Sequence, residues 1–399
     1  MPEPTRRRGA RRDEIADQAG ILFSERGFHS VRMEEIAEAV GITVRALYRH
    51  YPGKQALLAF VVIRDQDRLV NALQNLEQKP ADDLDTAQII LHELAMVSLV
   101  SRHLSLLWQR EARHLQPDDF QFVRRRTIWI AEQIKQLVVI RMQPGLDAFS
   151  ADLRSWALVS LLTSSVYYDA ALPPAALTQE IVAACVRIIA AKAECHGSEV
   201  AGLSPPPALV QPVSRREQLL VVAARVFRRR GFGGVTLDEI GDDLDIVGAA
   251  LYRYFPTKAS ILAAAVTRFH EWICHEMFRT LAHPQEDPCQ TLMSLSRGYL
   301  RVEHEATDYL AVALNERLFL PNDVRAQTDR MRLDNTAEWI RWYSLAESSA
   351  SPAQSAVRVH ITQRVIDDCV RIPRLAAHPD FVPGMHSVIE RSLGLTADD

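Results

Sequence analysis

One nonapeptide is written twice in this chain, and this repeat constrains the fold more than any other feature. ALYRHYPGK occupies residues 46–54 and ALYRYFPTK occupies residues 250–258. The same offset of 204 residues relates Gly27 to Gly231, so no gap separates the copies over this range. Tandem duplication is therefore predicted, and a chain of 399 residues is long enough for two halves of about 200 residues each.

The composition excludes several classes of protein. The first fourteen residues are polar and basic, unlike a secretory signal, and the most apolar stretch, 181–193, is interrupted by Arg187. The five cysteines show no CxxC pair and no zinc-type histidine spacing. A nucleophile elbow and a phosphate loop are also missing from the sequence. We therefore expect a soluble cytoplasmic protein without membrane contact that is not an enzyme and binds no cofactor or metal.

The charge is distributed unevenly along the chain. Residues 1–64 hold 11 Lys and Arg against 8 Asp and Glu, and residues 205–268 hold 9 against 6. Each repeated segment is thus +3, whereas the whole chain is −4, which leaves −10 for the remainder. Positive charge gathers in the repeated segments, as binding to phosphates requires.

Apolar residues recur at helical spacing in both halves, and strand patterns are scarce. Each copy begins with a helix that ends at a glycine followed by phenylalanine, Gly27–Phe28 or Gly231–Phe232. A second short helix and a tight turn lead into a third helix, predicted for 43–51 and 247–255. Such an arrangement is a helix-turn-helix unit, whose last helix fits a DNA major groove.

The domain boundaries follow from these units and from breaks rich in proline. Amphipathic helices fill the remainder of each half, and the sequence Ser204–Pro205–Pro206–Pro207 lies between the halves. The predicted domains are 1–55 and 214–259 for the two helix-turn-helix units, 56–196 and 260–399 for the two helical bodies, and 197–213 for a semi-extended linker.

At these residues the chain resembles the TetR/AcrR family of bacterial transcriptional regulators, as two fused copies. The residues that carry the resemblance are Gly27–Phe28, Ile36–Ala37, Gly41–Ile42–Thr43, Leu47–Tyr48, Tyr51 and Lys54 in the first half, and Gly231–Phe232, Ile240, Ile246, Leu251–Tyr252, Phe255 and Lys258 in the second. The motifs cover about a quarter of the chain, and the bodies match only in length and pattern. The resemblance implies an all-α fold of two tandem units in a pseudo-twofold arrangement, each unit having a helix-turn-helix domain and a body for ligand binding and dimerisation. It also implies a sequence-specific, ligand-responsive repressor bound to a double-stranded operator.

Residues on and beside the third helix are the predicted DNA contacts. Tyr48 offers a hydroxyl and Lys54 a cation to phosphates, as do their counterparts in the second copy. Arg45 is the best candidate for a bidentate guanine contact, unless it and Arg49 are merely solvated or bound to phosphates. The candidate DNA-binding residues carried over from the family are Arg32, Thr43, Val44, Arg45, Ala46, Tyr48, Arg49, His50 and Lys54 in the first copy, and Thr236, Gly248, Ala249, Tyr252, Arg253, Tyr254 and Lys258 in the second.

The two copies differ at the starts of their helices. Thr236 and the glutamate three residues later form a capping box in the second copy, whereas Arg32 gives up this cap in the first and could contact a phosphate instead. Thr43 caps the third helix of the first copy, but Val247 cannot cap the second. The second recognition face, 247–250, has almost no hydrogen-bonding side chain. We therefore expect the second head to read DNA poorly.

The resemblance further implies an effector cavity in each body, suited to a small apolar or amphipathic molecule that lowers the affinity for DNA. Aromatic residues could line these cavities with a histidine as polar anchor, although aromatic residues at helical spacing more often belong to the core. The candidates are His103, Trp108, Trp129, Tyr167 and Tyr168 in the first body, and Tyr299, His304, Tyr309, Trp339 and Trp342 in the second.

Family members commonly pair as homodimers through the last two helices of the body, here roughly 148–171 with 178–195 and 352–371 with 379–393. Fusion makes the second partner intramolecular, so one chain could present two heads about a pseudo-twofold axis. Self-association into a dimer of chains with four heads is the alternative. A different class also stays open, namely a binding or scaffold protein in which one or both heads no longer read DNA.

Overall fold

The computed structural model describes residues 4–77, 84–100, 107–164, 172–190, 214–242, 244 and 249–395. Every regular element within these ranges is helical, which confirms the predicted all-α class. The predicted linker at 197–213 lies outside the described residues. No described helix is both long enough and apolar enough to cross a bilayer.

The first unit consists of a three-helix head and a helical body. The head holds α1 (Pro4–Arg26), α2 (Met33–Ala39) and α3 (Val44–His50). The body holds α4 (Lys54–Glu77), α5 (Leu84–Val100), α6 (Pro117–Ile134), α7 (Ala148–Thr163) and α8 (Pro174–Ala190). Between α5 and α6 lie a π-helical turn, Leu107–Glu111, and a 3-10 turn, Ala112–His114, and α6 runs on through a second π-helical turn, Lys135–Val139, and a last turn, Ile140–Met142.

The second unit repeats this order. Its head holds α9 (Arg215–Arg230), α10 (Leu237–Asp242) and α11 (Ala249–Tyr252). Its body holds α12 (Lys258–Leu281), α13 (Pro288–Glu305), α14 (Thr307–Asn315), a 3-10 turn (Arg317–Phe319), α15 (Asn322–Ala346), α16 (Pro352–Cys369), α17 (Pro373–Ala376) and α18 (Phe381–Leu393).

The offset of 204 residues holds far beyond the repeated nonapeptide. Helices α4 and α12 both start and end 204 residues apart, and so do the starts of α5 and α13 and of α7 and α16. The first helix of each head ends at a glycine with positive φ, 79° at Gly27 and 76° at Gly231, a conformation that glycine adopts without a Cβ clash. The duplication therefore includes the bodies, where sequence similarity alone did not show it.

The two units pack together through the last two long helices of each body. One hydrophobic core contains residues of α7 and α8 together with residues of α16 and α18, among them Leu158, Ile181, Val365 and Ile389, each at most 1% exposed. Burial of apolar side chains is the main stabilising contribution to such an interface. The helices that meet are those predicted from the resemblance.

Residues that the duplication relates to each other touch across this interface. The Ser160 hydroxyl donates to the carbonyl of Arg364 at 3.3 Å, and Arg187 Nε donates to the carbonyl of Arg391 at 3.2 Å. The members of each pair are 204 residues apart. In an isologous interface, a residue contacts its own counterpart only beside the twofold axis. The pseudo-twofold axis therefore passes between α7, α8, α16 and α18.

Candidate DNA-binding heads and ligand cavities

The first head holds α3 on a small apolar core of its own. Phe23, Ile36, Leu47 and Tyr51 have at most 1% of their surface exposed. The Thr43 hydroxyl accepts from the N–H of Ala46 at 3.2 Å, as the sequence predicts for a cap of this helix. The head thus supports a rigid, capped α3 of seven residues.

The side of α3 that faces away from this core carries two cations and a phenol. Arg45 and Arg49 are exposed, and Tyr48 is 48% exposed. Val44, Ala46 and His50 are half-buried along the edges of the helix. This surface matches the predicted reading face in position and in chemistry. Contact of these side chains with DNA stays a prediction.

Lys54 and Lys258 have partners that the sequence did not indicate. Lys54 Nζ donates to the carbonyls of Phe28 and Val31 at 2.8 and 2.9 Å and lies 4.4 Å from the Phe28 ring centroid. Lys258 repeats these contacts with Phe232 and Val235, both at 2.6 Å. Burial lowers the pKa of both lysines. Two of the three N–H donors of each ammonium thus bind the loop after the first helix, and contact of the third donor with a phosphate stays a prediction.

The start of the second helix differs between the heads, but in both a glutamate accepts a hydrogen bond from the backbone N–H three residues before it. Thr236 and Glu239 form the predicted capping box, with Thr236 N to Glu239 Oε2 at 2.6 Å and Glu239 N to the Thr236 hydroxyl at 3.3 Å. In the first head Glu35 Oε2 still accepts from Arg32 N at 2.7 Å, whereas the guanidinium of Arg32 has no acceptor atom to complete the box. The exposed Arg32 side chain therefore does not take part in capping, and its contact with a phosphate stays a prediction.

The second head is described less completely. Of its third helix the structure describes Ala249–Tyr252, and residues 245–248 before it lie outside the described residues. Tyr252, Arg253 and Tyr254 are exposed on it or just after it. Ala249 opens the helix, whereas Gly248 and Val247 lie outside the described residues. The described helix ends at Tyr252, three residues before the predicted end at 255, and the predicted start at 247 lies outside the described residues.

Two residues of the body form hydrogen bonds to the first head, and the sequence analysis did not predict this role for either of them. Arg110 Nη2 donates to the carbonyls of Phe23 and Ser24 at 3.1 and 2.5 Å, and Glu111 Oε2 accepts from Phe28 N at 3.0 Å. Both belong to the π-helical turn Leu107–Glu111, and Glu111 is only 3% exposed. A buried carboxylate that accepts a backbone N–H fixes the geometry of the loop that carries it. No motif in the sequence marks these positions.

The candidate effector contacts are scattered rather than gathered in one site. Trp339 is a core residue with no exposed surface, and Trp129 and Trp342 pack against the core. His304 Nε2 lies 2.9 Å from the carbonyl of Ala376, so its polar group serves the fold. The candidates His103, Tyr167 and Tyr168 lie outside the described residues.

Three of the candidates line cavities, each a different one. Trp108 borders a cavity of about 440 Å³ between the first body and Arg374 of the second. Tyr309 borders a cavity of about 650 Å³ beside Trp272, at the side of α9 and α12. Tyr299 borders a cavity of about 310 Å³ inside the second body. These volumes are in the range of small-molecule sites.

Comparison with known proteins identifies the heads. The family model described as "Bacterial regulatory proteins, tetR family" matches residues 15–61 and again residues 219–265. The HTH-type transcriptional repressor KstR2 of Mycolicibacterium smegmatis is 29% identical over 161 residues, covering 38% of this chain and 74% of that protein. The HTH-type transcriptional regulator UidR of Escherichia coli K12 is 38% identical over 66 residues, covering 16% of this chain and 31% of that protein.

Two solved structures that are similar to this chain each cover less than half of it. A bacterial regulatory protein in the tetR family from Rhodococcus RHA1 is 21% identical with a TM-score of 0.40, covering 46% of this chain and 100% of that one. AibR, solved in complex with isovaleryl coenzyme A and operator DNA, is 15% identical with a TM-score of 0.37, covering 43% of this chain and 96% of that one. The family model matches both heads, so the chain contains two heads of the kind found in bacterial regulatory proteins of the tetR family, one in each unit.

Proposed function

We propose that this protein is a ligand-responsive repressor whose two units form the dimer-like pair within one chain and present both heads to one operator. One observation carries the proposal: residues 204 apart in sequence, such as Arg187 and Arg391, contact each other between the bodies. A covalently linked partner is present at a high effective concentration, so pairing needs no second chain.

A buried ion-pair network supports pairing within the chain. Glu180 Oε1 accepts from Arg358 Nε at 2.6 Å across the interface and from Arg187 Nη2 at 3.1 Å within its own helix. Arg358 Nη1 also donates to the Tyr343 hydroxyl at 2.8 Å. Charged groups removed from water require such specific partners, so this interface is selective for one arrangement of the two bodies.

The two heads differ in what they offer to bases. At the position of Arg45 in the first head, the second head has Ala249, 204 residues later. Arg45 can donate two hydrogen bonds to a guanine, whereas alanine offers only a methyl contact. We therefore expect an operator with one strongly specified half-site and one weaker half-site, their centres about 34–36 Å or a multiple apart. Tyr48 and Tyr252, exposed at matched positions, would contact phosphates in both halves.

The cavities in the bodies support response to a small effector. Ligand that binds one arrangement of the heads more tightly than another shifts the population towards it and changes the affinity for DNA. The second-body cavity is bordered by helices α12 to α16 and by Arg110, which also contacts the first head. Effector binding there would lower the affinity for the operator.

The experiment is a gel shift and footprint on DNA that flanks the protein's own gene, repeated over a salt series. Specific competition and a steep loss of affinity with salt are expected. Arg45→Ala should cost about 1–3 kcal/mol at one base position in one half-site, whereas the matched Ala249→Arg should strengthen reading of the other half. Equal protection and equal sensitivity of both half-sites to mutation would contradict the proposed asymmetry, and absence of specific binding would contradict the function.

A further inference from the structure

The wall of the cavity of about 310 Å³ in the second body contains a buried carboxyl group, Glu303, whose polar neighbours are Asp367 and Tyr299. Glu303 has no exposed surface, and neither of its carboxyl oxygens has a hydrogen-bond partner at bonding geometry among the described residues. Beside it, the hydroxyl of Tyr299 donates to Asp367 Oδ1 at 3.0 Å. A buried acid without a partner costs about 1–3 kcal/mol or more, so natural structures rarely keep one without a role.

The remaining charges around this carboxyl are already used. Arg364 pairs with Asp367 at 3.3 Å and with Asp368 at 2.7 Å, and Arg371 pairs with Asp368 at 2.5 Å. The other ionisable groups that line the cavity are Arg110, paired with Glu111; Arg317, paired with Asp329; Arg332, which is exposed; and His270 and His360, whose pKa values burial lowers. Glu303 therefore has no cationic partner among the described residues, and its polar neighbours are the Asp367 carboxyl and the Tyr299 hydroxyl.

The two neighbouring acids, Glu303 and Asp367, form the part of the cavity wall that would stabilise a positively charged group. Burial raises the pKa of Glu303 well above its usual range, and the neighbouring Asp367 carboxyl raises it further. Both effects oppose the ionised form of Glu303, and a cation placed beside the two acids would relieve both. The rest of the wall includes the apolar side chains Val266, Phe269, Ile273 and Leu310, which suit a hydrocarbon body.

The first unit lacks this group of acids at the equivalent places. The residues 204 positions before Tyr299, Glu303 and Asp367 are Ala95, Leu99 and Thr163. None of these three side chains can carry a charge. The group of Tyr299, Glu303 and Asp367 is thus found in the second unit and not at the equivalent positions of the first.

The same cavity is connected to the head of the other unit. Arg110 of the first unit lines the cavity and donates to the carbonyls of Phe23 and Ser24 in the first head. Gln109, the residue before it, accepts a hydrogen bond from Arg371 Nη2 at 2.7 Å and another from Arg364, which lines the cavity. Gln109 and Arg110 lie in the π-helical turn Leu107–Glu111. Such turns are rare and occur frequently at functional sites.

From this geometry we infer that the second-body cavity binds a small organic cation with an apolar body at Glu303, and that the first head responds to it through Gln109 and Arg110. This inference deepens the proposed ligand response by assigning the sensing site to the second unit and the regulated head to the first.

Binding is tested on the full-length chain by calorimetry with benzylamine, cyclohexylamine and phenylguanidine, each beside a neutral twin such as benzyl alcohol or cyclohexanol. At least one cation should bind about tenfold or more tightly than its twin, and Glu303→Gln should abolish the preference. The matched control is Glu305→Gln, two residues along the same helix and outside this cavity, which should keep the preference. Equal binding of cations and twins, or an unchanged preference in Glu303→Gln, would overturn the assignment.

Coupling is tested by operator binding with and without the cation that binds. The cation should weaken operator binding by the unmodified chain about tenfold, and Gln109→Ala should keep both binding events while the effect of the cation falls to about twofold or less. An unchanged effect in Gln109→Ala would refute the route through this turn. A chain that binds its operator but no cation refutes this inference alone, whereas a chain that binds the cation but no specific DNA refutes the proposed function.

Discussion

Removal of Glu180 is the most direct test of pairing within one chain. This carboxylate is only 6% exposed and joins the two bodies by accepting from Arg358 Nε at 2.6 Å and from Arg358 Nη2 at 3.3 Å. Glu180→Ala leaves the Arg358 guanidinium in the interface without its counter-ion. The substitution should therefore lower the free energy of unfolding.

The size of the loss follows from the contacts that remain. Breaking a buried ion pair by removing one partner costs about 3–5 kcal/mol. Arg358 keeps its hydrogen bond to the Tyr343 hydroxyl, and its side chain is 17% exposed, so we expect about 3 kcal/mol, the lower end of this range. The matched control is Glu338→Ala, because Glu338 pairs with Arg341 on the surface of α15 and its loss should cost about 0.5 kcal/mol or less.

The pH dependence gives a second check on the same variant. Burial by itself would raise the pKa of Glu180, but the neighbouring Arg358 and Arg187 more than offset this and hold the pKa below its usual range. A lowered pKa in the folded state stabilises the fold above the unfolded pKa of about 4.3, and this stabilisation is lost as the pH falls through the folded value. The difference between the parent and Glu180→Ala should therefore be full at pH 7 and should shrink below about pH 4.

Urea unfolding at several protein concentrations is the assay. Pairing within the chain predicts a midpoint that does not depend on concentration, for the parent and for Glu180→Ala alike, together with the mass of one chain in solution. A midpoint that rises with concentration would place this interface between two chains. A loss as small as that of Glu338→Ala would contradict the assigned contribution of the buried pair.

Three further outcomes are expected. Ala249→Arg should increase the affinity for the weaker half-site by about 1–3 kcal/mol, measured by gel shift on operators mutated in one half at a time, and no change would contradict the role assigned to Arg45. Lys54→Met, which keeps the bulk but loses two hydrogen bonds to carbonyls, should destabilise the first head by about 1–2 kcal/mol, measured by thermal melting, with Lys258→Met giving a similar loss in the second. Glu303→Gln should stabilise the fold by about 1–3 kcal/mol at pH 8 and much less at pH 4. The reason is that burial raises the folded pKa of Glu303, so its contribution to folding stability falls as the pH rises from the unfolded pKa of about 4.3 through the folded value. Equal effects of the substitution at both pH values would contradict a raised pKa of Glu303.

Local patterns were sufficient to predict the heads. The glycines at which α1 and α9 end, the cap at Thr43 and the box at Thr236 depend on residues a few positions apart, and the structure contains all of them. The pairing helices of the bodies were also predicted, through the family resemblance. Periodicity and capping report on such short-range interactions, which is why they succeed here.

Long-range contacts account for what the sequence left out. Lys54 is predicted from the sequence as a phosphate-binding cation at a helix start, and nothing local indicates that it also binds carbonyls 23 and 26 residues earlier in the chain. Arg110 reaches carbonyls 86 and 87 residues away. In the sequence, Glu303 looks like an exposed residue on the charged face of an amphipathic helix, whereas in the structure α12 and α16 cover it. Neither propensity nor spacing contains the information about which elements cover a given face.

The duplication explains how sensing and reading could come to lie in different halves. In a homodimer each substitution appears twice, so a residue that improves the cavity in one subunit must also be tolerated in the other. Fusion removes this constraint, because Arg45 and Ala249, like Leu99 and Glu303, occupy matched positions that can be substituted independently. The side chains that could read a base are concentrated in the first unit, and the acids that could bind a cation are in the second. Such a division requires the units to remain in contact, as they do through the buried pair of Glu180 and Arg358.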